Sequence, residues 1–288
     1  GGEGIVESND FSADSFSSTT TANFTANFAV GSVDGSTTTD MVNAIYDYQI
    51  DLATSFNGSD SLNVTLAAGV GGNALTDLDL NEADEADDSV QVDSLSYTFP
   101  LGDKTTAFVG FGNKAGSSLY NTSCVYSGSA TDNLSLCGNI SAALDVDGGT
   151  SFGVTYDHGN GLSLSYAYDG PETTGGILTY ETEDAHGGQV AYNQDNWGTS
   201  VTFARIEEDD TSSGSSYKHD DIYTAVNAFF IPEVDGMPLP TISVGYEWGD
   251  NGGAVTSETD SSTSYFVGLE WDEVGPGSFG AALGTKTP

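Results

Sequence analysis

The chain has 288 residues, with 43 Asp plus Glu against five Lys plus Arg, and a formal net charge of −38. That balance excludes nucleic acid as a partner, because phosphate binding needs a basic surface, and it argues equally against docking on an anionic membrane surface. No run of roughly 18 apolar residues exists, which excludes a transmembrane helix but not a membrane β-barrel, whose strands alternate in hydrophobicity.

Taken in order, the segments repeat with a period of two. Phe24, Ala26, Phe28 and Val30 alternate with Asn23, Thr25, Asn27 and Ala29, and a moderate loop, 32–40, follows. Tyr46, Tyr48, Ile50, Leu52 and Phe56 alternate with Asp47, Gln49, Asp51 and Ser55. The tight turn Asn57-Gly58-Ser59-Asp60 then leads into Leu62, Val64, Leu66 and Val70. After a long loop, 71–89, the apolar phase of 90–101 shifts by one residue near Asp93 and Ser94, which predicts a bulge. The turn Pro100-Leu101-Gly102-Asp103 precedes a strand and then a very long loop, 114–148. Further on come the turn at 157–161, the strand of Leu162, Leu164, Tyr166 and Tyr168, and an acidic loop, 170–186. The turn Asn193-Gln194-Asp195-Asn196, a loop at 206–221 and a Pro-rich link at 232–240 follow. Ile242, Val244, Tyr246 and Trp248 precede a loop at 250–262, and Tyr265, Val267, Leu269 and Trp271 run into a turn at 272–277.

About thirteen strands result, many of roughly 8–12 residues, near the length a tilted strand needs to cross a bilayer. Their connections alternate short and long. An outer-membrane barrel has that pattern, with short periplasmic turns and long outer loops, whereas a soluble sandwich has no cause for it. The predicted fold is therefore all-β: an antiparallel transmembrane β-barrel of porin type, a single domain over 1–288. The chain begins with Gly1 and stops just after a strand-like segment, so it is expected to be incomplete at both ends. The alternative is a secreted or surface β-sandwich, a lectin or adhesin, with calcium held by its acidic loops.

Each strand has one apolar face, ending in rings such as Phe56, Phe99, Tyr156, Tyr168, Trp197, Tyr246, Trp248, Tyr265 and Trp271. Such rings suit the aromatic girdles at a lipid–water boundary. The other face is small and polar, as in Ser243, Gly245, Glu247 and Gly249 or Ser278, Gly280, Ala282 and Gly284, and fits a water-filled passage. Candidates to line it are Asp47, Gln49, Asp51, Asp132, Glu247 and Glu270, with Lys114, Arg205 and Lys286 as positive counterweights. Acidic residues concentrate in the long loops, giving an electronegative mouth that enriches small cations. The expected function is passive diffusion of small hydrophilic solutes with a weak cation preference.

Cys124 and Cys137 lie in the third long loop. Two cysteines in an otherwise thiol-free chain of envelope type are expected to pair; a metal pair would lack nearby histidines and CxxC spacing. By fold-level analogy with porins, residues 114–148 are expected to fold inward as a constriction. Asp77, Asp79, Asn81 and Asp88 resemble an EF-hand loop, but Glu82 stands where glycine is required. No cofactor is expected beyond loosely held Ca or Mg at these acidic loops. GxSxG, HExxH and phosphate-loop motifs are absent, and His158, His186 and His219 sit near three different connections, so no enzyme activity is predicted.

The segments Ile45-Tyr46-Asp47-Tyr48-Gln49-Ile50-Asp51-Leu52, Tyr97-Thr98-Phe99-Pro100-Leu101-Gly102-Asp103, Ser123-Cys124-Val125-Tyr126 with Cys137-Gly138-Asn139, and 267–277 resemble the cyanobacterial outer-membrane porins. These are grouped with OprB-like carbohydrate porins and also called iron uptake porins. The resemblance runs over nearly the whole chain. It implies a sixteen-stranded barrel, commonly a homotrimer in outer-membrane lipid, with an S-layer homology domain and further strands beyond this sequence. OprB-like members favour sugars through an arginine-bearing constriction, for which this chain offers only Lys114 and Arg205.

Overall fold

A computed structural model describes residues 20–31, 42–70, 89–127, 136–144, 149–171, 177–178, 183–210, 217–233, 239–252, 261–274 and 277–285. Among these residues thirteen antiparallel strands follow in sequence order. They are β1 Thr20–Gly31, β2 Asn43–Thr54, β3 Ser61–Val70, β4 Gln91–Pro100, β5 Thr105–Gly112, β6 Gly149–Asp157 and β7 Leu162–Pro171. Then come β8 Ala185–Asn193, β9 Trp197–Asp210, β10 Tyr217–Phe230, β11 Thr241–Asn251, β12 Ser261–Val274 and β13 Gly277–Gly284. Among the described residues no helix is long and apolar enough to cross a membrane. The strands fall into two compact units, β1–β4 and β5–β13.

In the first unit the alternation read from sequence sets the register. Phe24 faces Ile50 and Phe28 faces Tyr46, while Asn27 faces Asp47 on the other side of the sheet. Asp51 faces Thr65. Between β3 and β4, Thr65 pairs with Ser94 and Leu66 with Val92. Asp93 is thus the extra residue of the expected bulge, and the phase shift keeps Val92 and Leu95 both on the apolar side.

The short turn between β2 and β3 is closed by one carboxylate. Asp60 accepts from the Ser55 hydroxyl at 2.8 Å, from the Phe56 and Asn57 N–H groups at 2.9 and 3.0 Å, and from the Tyr97 hydroxyl at 2.7 Å. Gly58 takes the positive φ of 87° that the turn requires, a conformation open to glycine at little cost. Tyr97 in turn sits between the rings of Phe56 and Phe99, at centroid distances of 6.2 and 5.4 Å, so the turn and the apolar rim support each other.

The second unit shows the chemistry of its two faces directly. Leu164, Val190, Val201, Val226, Tyr246 and Tyr265 are consecutive cross-strand partners from β7 to β12, and every one of them is exposed. The row one residue away, Ser163, Ala191, Ser200, Asn227, Gly245 and Phe266, is paired in the same way and buried throughout. A water-soluble protein hides its apolar row and wets its polar one; here the order is reversed.

Several boundaries differ from the sequence reading. The connection expected at 206–221 is largely strand, since β9 continues to Asp210 and β10 starts at Tyr217, with Glu207 opposite Asp220 and Asp209 opposite Lys218. The acidic composition marked these residues as loop, but ladder hydrogen bonds are indifferent to side-chain charge at a wet sheet end. The turn expected at 272–277 is also shorter, because β12 reaches Val274 and β13 begins at Gly277, with a register shift between Trp271 and Val274.

Candidate functional site

What buries the polar row is the connection between β5 and β6. Its described parts, 113–127 and 136–144, lie on the polar face of the second unit. The segment leaves β5 through a short 3₁₀ turn, Gly116–Leu119, where the Gly116 N–H donates to Asp169 of β7 at 2.9 Å. Next, the Ser123 N–H donates to Ser200 of β9 at 3.0 Å and its hydroxyl to Asn193 of β8. Val125 N–H reaches Ser243 of β11 at 3.1 Å, and Ser127 gives both its N–H and its hydroxyl to Glu270 of β12. On the return, Asn227 of β10 donates to the Cys137 carbonyl, and the N–H groups of Ser141 and Ala142 donate to Glu247 of β11. The described parts of the segment belong to no strand, and they meet much of their backbone hydrogen bonding with wall side chains.

Close approach needs a wall without bulk. Tyr126 lies over Gly268 and Gly280 and meets Phe266 edge-on, with ring centroids 5.3 Å apart. Ala142 and Leu144 pack on a patch of alanines, one from each of four strands: Ala167, Ala185, Ala204 and Ala225. Cys137 and Leu144 have φ of 57° and 49°, a left-handed conformation costing of order 1–3 kcal/mol for such residues and kept only where the surroundings over-determine it. Both sit where the segment is pinned. Cys124 and Cys137 are joined in a disulfide, which ties the outgoing arm to the return.

The candidate lining residues fare differently. In the first unit Asp47 accepts from Asn27 at 3.2 Å, and Asp51 accepts from Gln49 and Thr65 at 2.8 and 3.0 Å; all three candidates share the polar face of β2. In the second unit Glu247 and Glu270 do point to the polar side, but the segment seals them there, at 4% and 7% exposure. Lys114, half-buried, lays its stem over Gly110 at the start of the segment and makes no ion pair among the described residues. Arg205, expected on the polar wall, stands on the opposite face. Thr202 and Ala204, on the alternate positions of β9, are buried, so alternation turns Arg205 outward beside Phe203. There it pairs with Glu207 at 3.0 Å and Asp220 at 2.8 Å. Asp132, Lys286 and the EF-hand-like set Asp77, Asp79, Asn81 and Asp88 lie outside the described residues. Among the described residues no group of three or more metal-ligating side chains occurs.

Asp169, Gln189, Asn193 and Asn227 were not singled out from sequence, although strict alternation already placed Asp169 with Ala167 and Ser165 on the polar face. Gln189 donates to Thr122 of the segment and to Thr202. Burial pushes the Tyr120 hydroxyl above its usual range, with the nearby Asp169 charge adding to the effect.

No protein-family model and no curated protein matches the chain. Among solved structures, OprB of Pseudomonas putida is similar over 91% of this chain and 74% of its own, at 13% identity and a TM-score of 0.54. The outer membrane channel DcaP of Acinetobacter baumannii is similar over 93% and 94%, at 10% identity and a TM-score of 0.49. A mutant of Rh. blastica porin is similar over 93% and 84%, at 13% identity and a TM-score of 0.49. The fold is that of the antiparallel porin-type β-barrels.

Proposed function

We propose that this chain forms the wall and the narrowing segment of an outer-membrane channel through which small hydrophilic solutes diffuse passively. The carrying observation is the reversed polarity of the sheet. An exposed belt of Leu164, Val190, Val201, Val226, Tyr246 and Tyr265 suits hydrocarbon, while the polar row behind it faces a backbone segment lying within hydrogen-bond reach. A sandwich lectin would press its apolar rows together, so the same observation favours the channel over that alternative. Rings gather near the short turns of each unit, Phe56–Tyr97 in the first and Tyr192–Trp197 and Trp271–Phe279 in the second, at 6.2, 5.5 and 5.6 Å; each pair suits a place in an aromatic girdle.

The segment of 114–148 acts as the constriction, stapled by the Cys124–Cys137 bond. A net charge of −38 makes the passage weakly cation-preferring, inorganic cations such as iron included, and Asp51 and Gln49 contribute on the β2 wall. Neutral sugars pass by size. Asp132 and Lys286 belong to the same proposed lining. The channel works as a homotrimer in the outer membrane, a member of the OprB-like group of cyanobacterial type, and carries out no chemistry on its solutes.

Reconstitution into planar phospholipid bilayers tests this reading. Stepwise conductance with a K⁺ over Cl⁻ preference is the expected result. Absence of conductance steps, or stable monodispersity without detergent, would overturn it.

A further inference from the structure

Three carboxylates on the polar face of the second unit have surroundings unlike those of an ion-facing charge. Asp169, Glu247 and Glu270 belong to β7, β11 and β12 and are buried. Each accepts main-chain N–H groups of the β5–β6 segment: Asp169 from Gly116 at 2.9 Å, Glu270 from Ser127 at 2.9 Å, and Glu247 from Ser141 and Ala142 at 3.1 and 2.8 Å. The contacts are spaced with purpose along the chain. One precedes Cys124, one lies just past it, and one lies just past Cys137, so both arms of the disulfide-closed loop are held. Glu247 and Glu270 make no ion pair among the described residues.

Removing a carboxylate from water costs several kcal/mol unless its lone pairs are satisfied. Backbone N–H donors satisfy it with charge-assisted bonds of about twice the neutral strength. A charge that attracts permeating ions must stay in contact with water, and these three do not. We propose that Asp169, Glu247 and Glu270 are positioning residues: they clamp the segment against the wall and so fix the width of the passage. The charge preference then resides in groups open to water. This inference rests on the channel reading above.

The test compares Asp169→Asn, Glu247→Gln and Glu270→Gln with the parent chain by two readouts. In detergent micelles, amide hydrogen exchange at Gly116, Ser127, Ser141 and Ala142 should quicken about ten-fold or more, at the amides each substituted carboxylate holds. In planar bilayers the variants should conduct more and fluctuate more, with a K⁺/Cl⁻ permeability ratio within about twofold of the parent. Ser141→Pro removes a donor from the segment and leaves the wall unaltered, and should reproduce the behaviour of Glu247→Gln. A severalfold fall in permeability ratio with amide protection unchanged would overturn the proposal, as would no change in either readout. If the parent does not conduct, the channel reading fails, while the exchange data still decide whether the carboxylates hold the segment.

Discussion

Gly245 of β11 lies directly beneath the carbonyl of Cys137, so that a Cβ added at position 245 would occupy the place of that oxygen. The contact is backbone against backbone, since Gly138 meets the same stretch of β11 from the other side, at a φ of 72°. No side-chain rotation can relieve it. Gly245→Val should therefore lift the return arm from the wall while the β10–β11 ladder persists. Overpacking of this kind costs roughly 1–3 kcal/mol. A lowered unfolding midpoint in denaturant, with far-UV β signal retained below it, is the expected outcome.

The disulfide acts on the same arm from the other direction. With a sequence separation of 13 between Cys124 and Cys137, cross-linking restricts the unfolded chain by about 3 kcal/mol in the chain-entropy model. The double variant Cys124→Ser with Cys137→Ser, or the parent under reductant, should lose up to about that much stability. Exchange at Asn139–Leu144 should rise more than exchange in β8 and β9. Equal loss in both regions would mean that the bond supports the wall and not the segment.

Asp60 gives the pH dependence. The Tyr97 hydroxyl, then the Asn57 N–H, hold its carboxyl well below the usual carboxylate range. A folded-state value below the unfolded one means that the contribution is fully present above the ordinary value of 3.8, and it drains away as the pH falls from there through the folded value. Unfolding midpoints measured between neutral pH and strong acid should thus decline at the acid end. Tyr97→Phe should make that decline shallower, and Asp60→Asn should remove this residue's share altogether.

The two faces of β9 predict opposite tolerance. Val201 is exposed on the apolar belt, so Val201→Arg should cost about 2–4 kcal/mol if that face meets the bilayer midplane. On a soluble protein the same surface change would usually stay within about 0.5 kcal/mol. Folding yield into phospholipid vesicles, compared with the parent, distinguishes the two.

Selectivity should separate the two candidate cations. Arg205 stands on the outward face, paired with Glu207 and Asp220, and its replacement by Ala should leave the reversal potential in a salt gradient where it was. Lys114 lies on the polar side at the start of the segment, and Lys114→Ala should move that potential toward stronger cation preference. A shift with Arg205→Ala would place the guanidinium in the conduction path.

Sequence alone determined the order of the strands, though not the ends of β9, β10 and β12, together with the tight turns, the bulge at Asp93 and the existence of one oily and one wet face, because each of these is written in local periodicity and turn chemistry. It also brought Cys124 and Cys137 together as a pair. At Glu247, Glu270 and Arg205 the local pattern and the structure differ for two different reasons. Alternation gives the side of the sheet a residue occupies but not what lies above it, so it sets Glu247 and Glu270 on the polar face without showing the distant stretch of backbone that covers them. Charge alone suggests the polar wall for Arg205, but its phase with Val201 and Phe203 turns it outward. Only the tertiary structure decided that the β5–β6 segment runs over the polar face, on glycines and alanines whose smallness has no meaning until a second piece of chain is laid against them. Those contacts join residues up to 143 positions apart, beyond the reach of any local pattern.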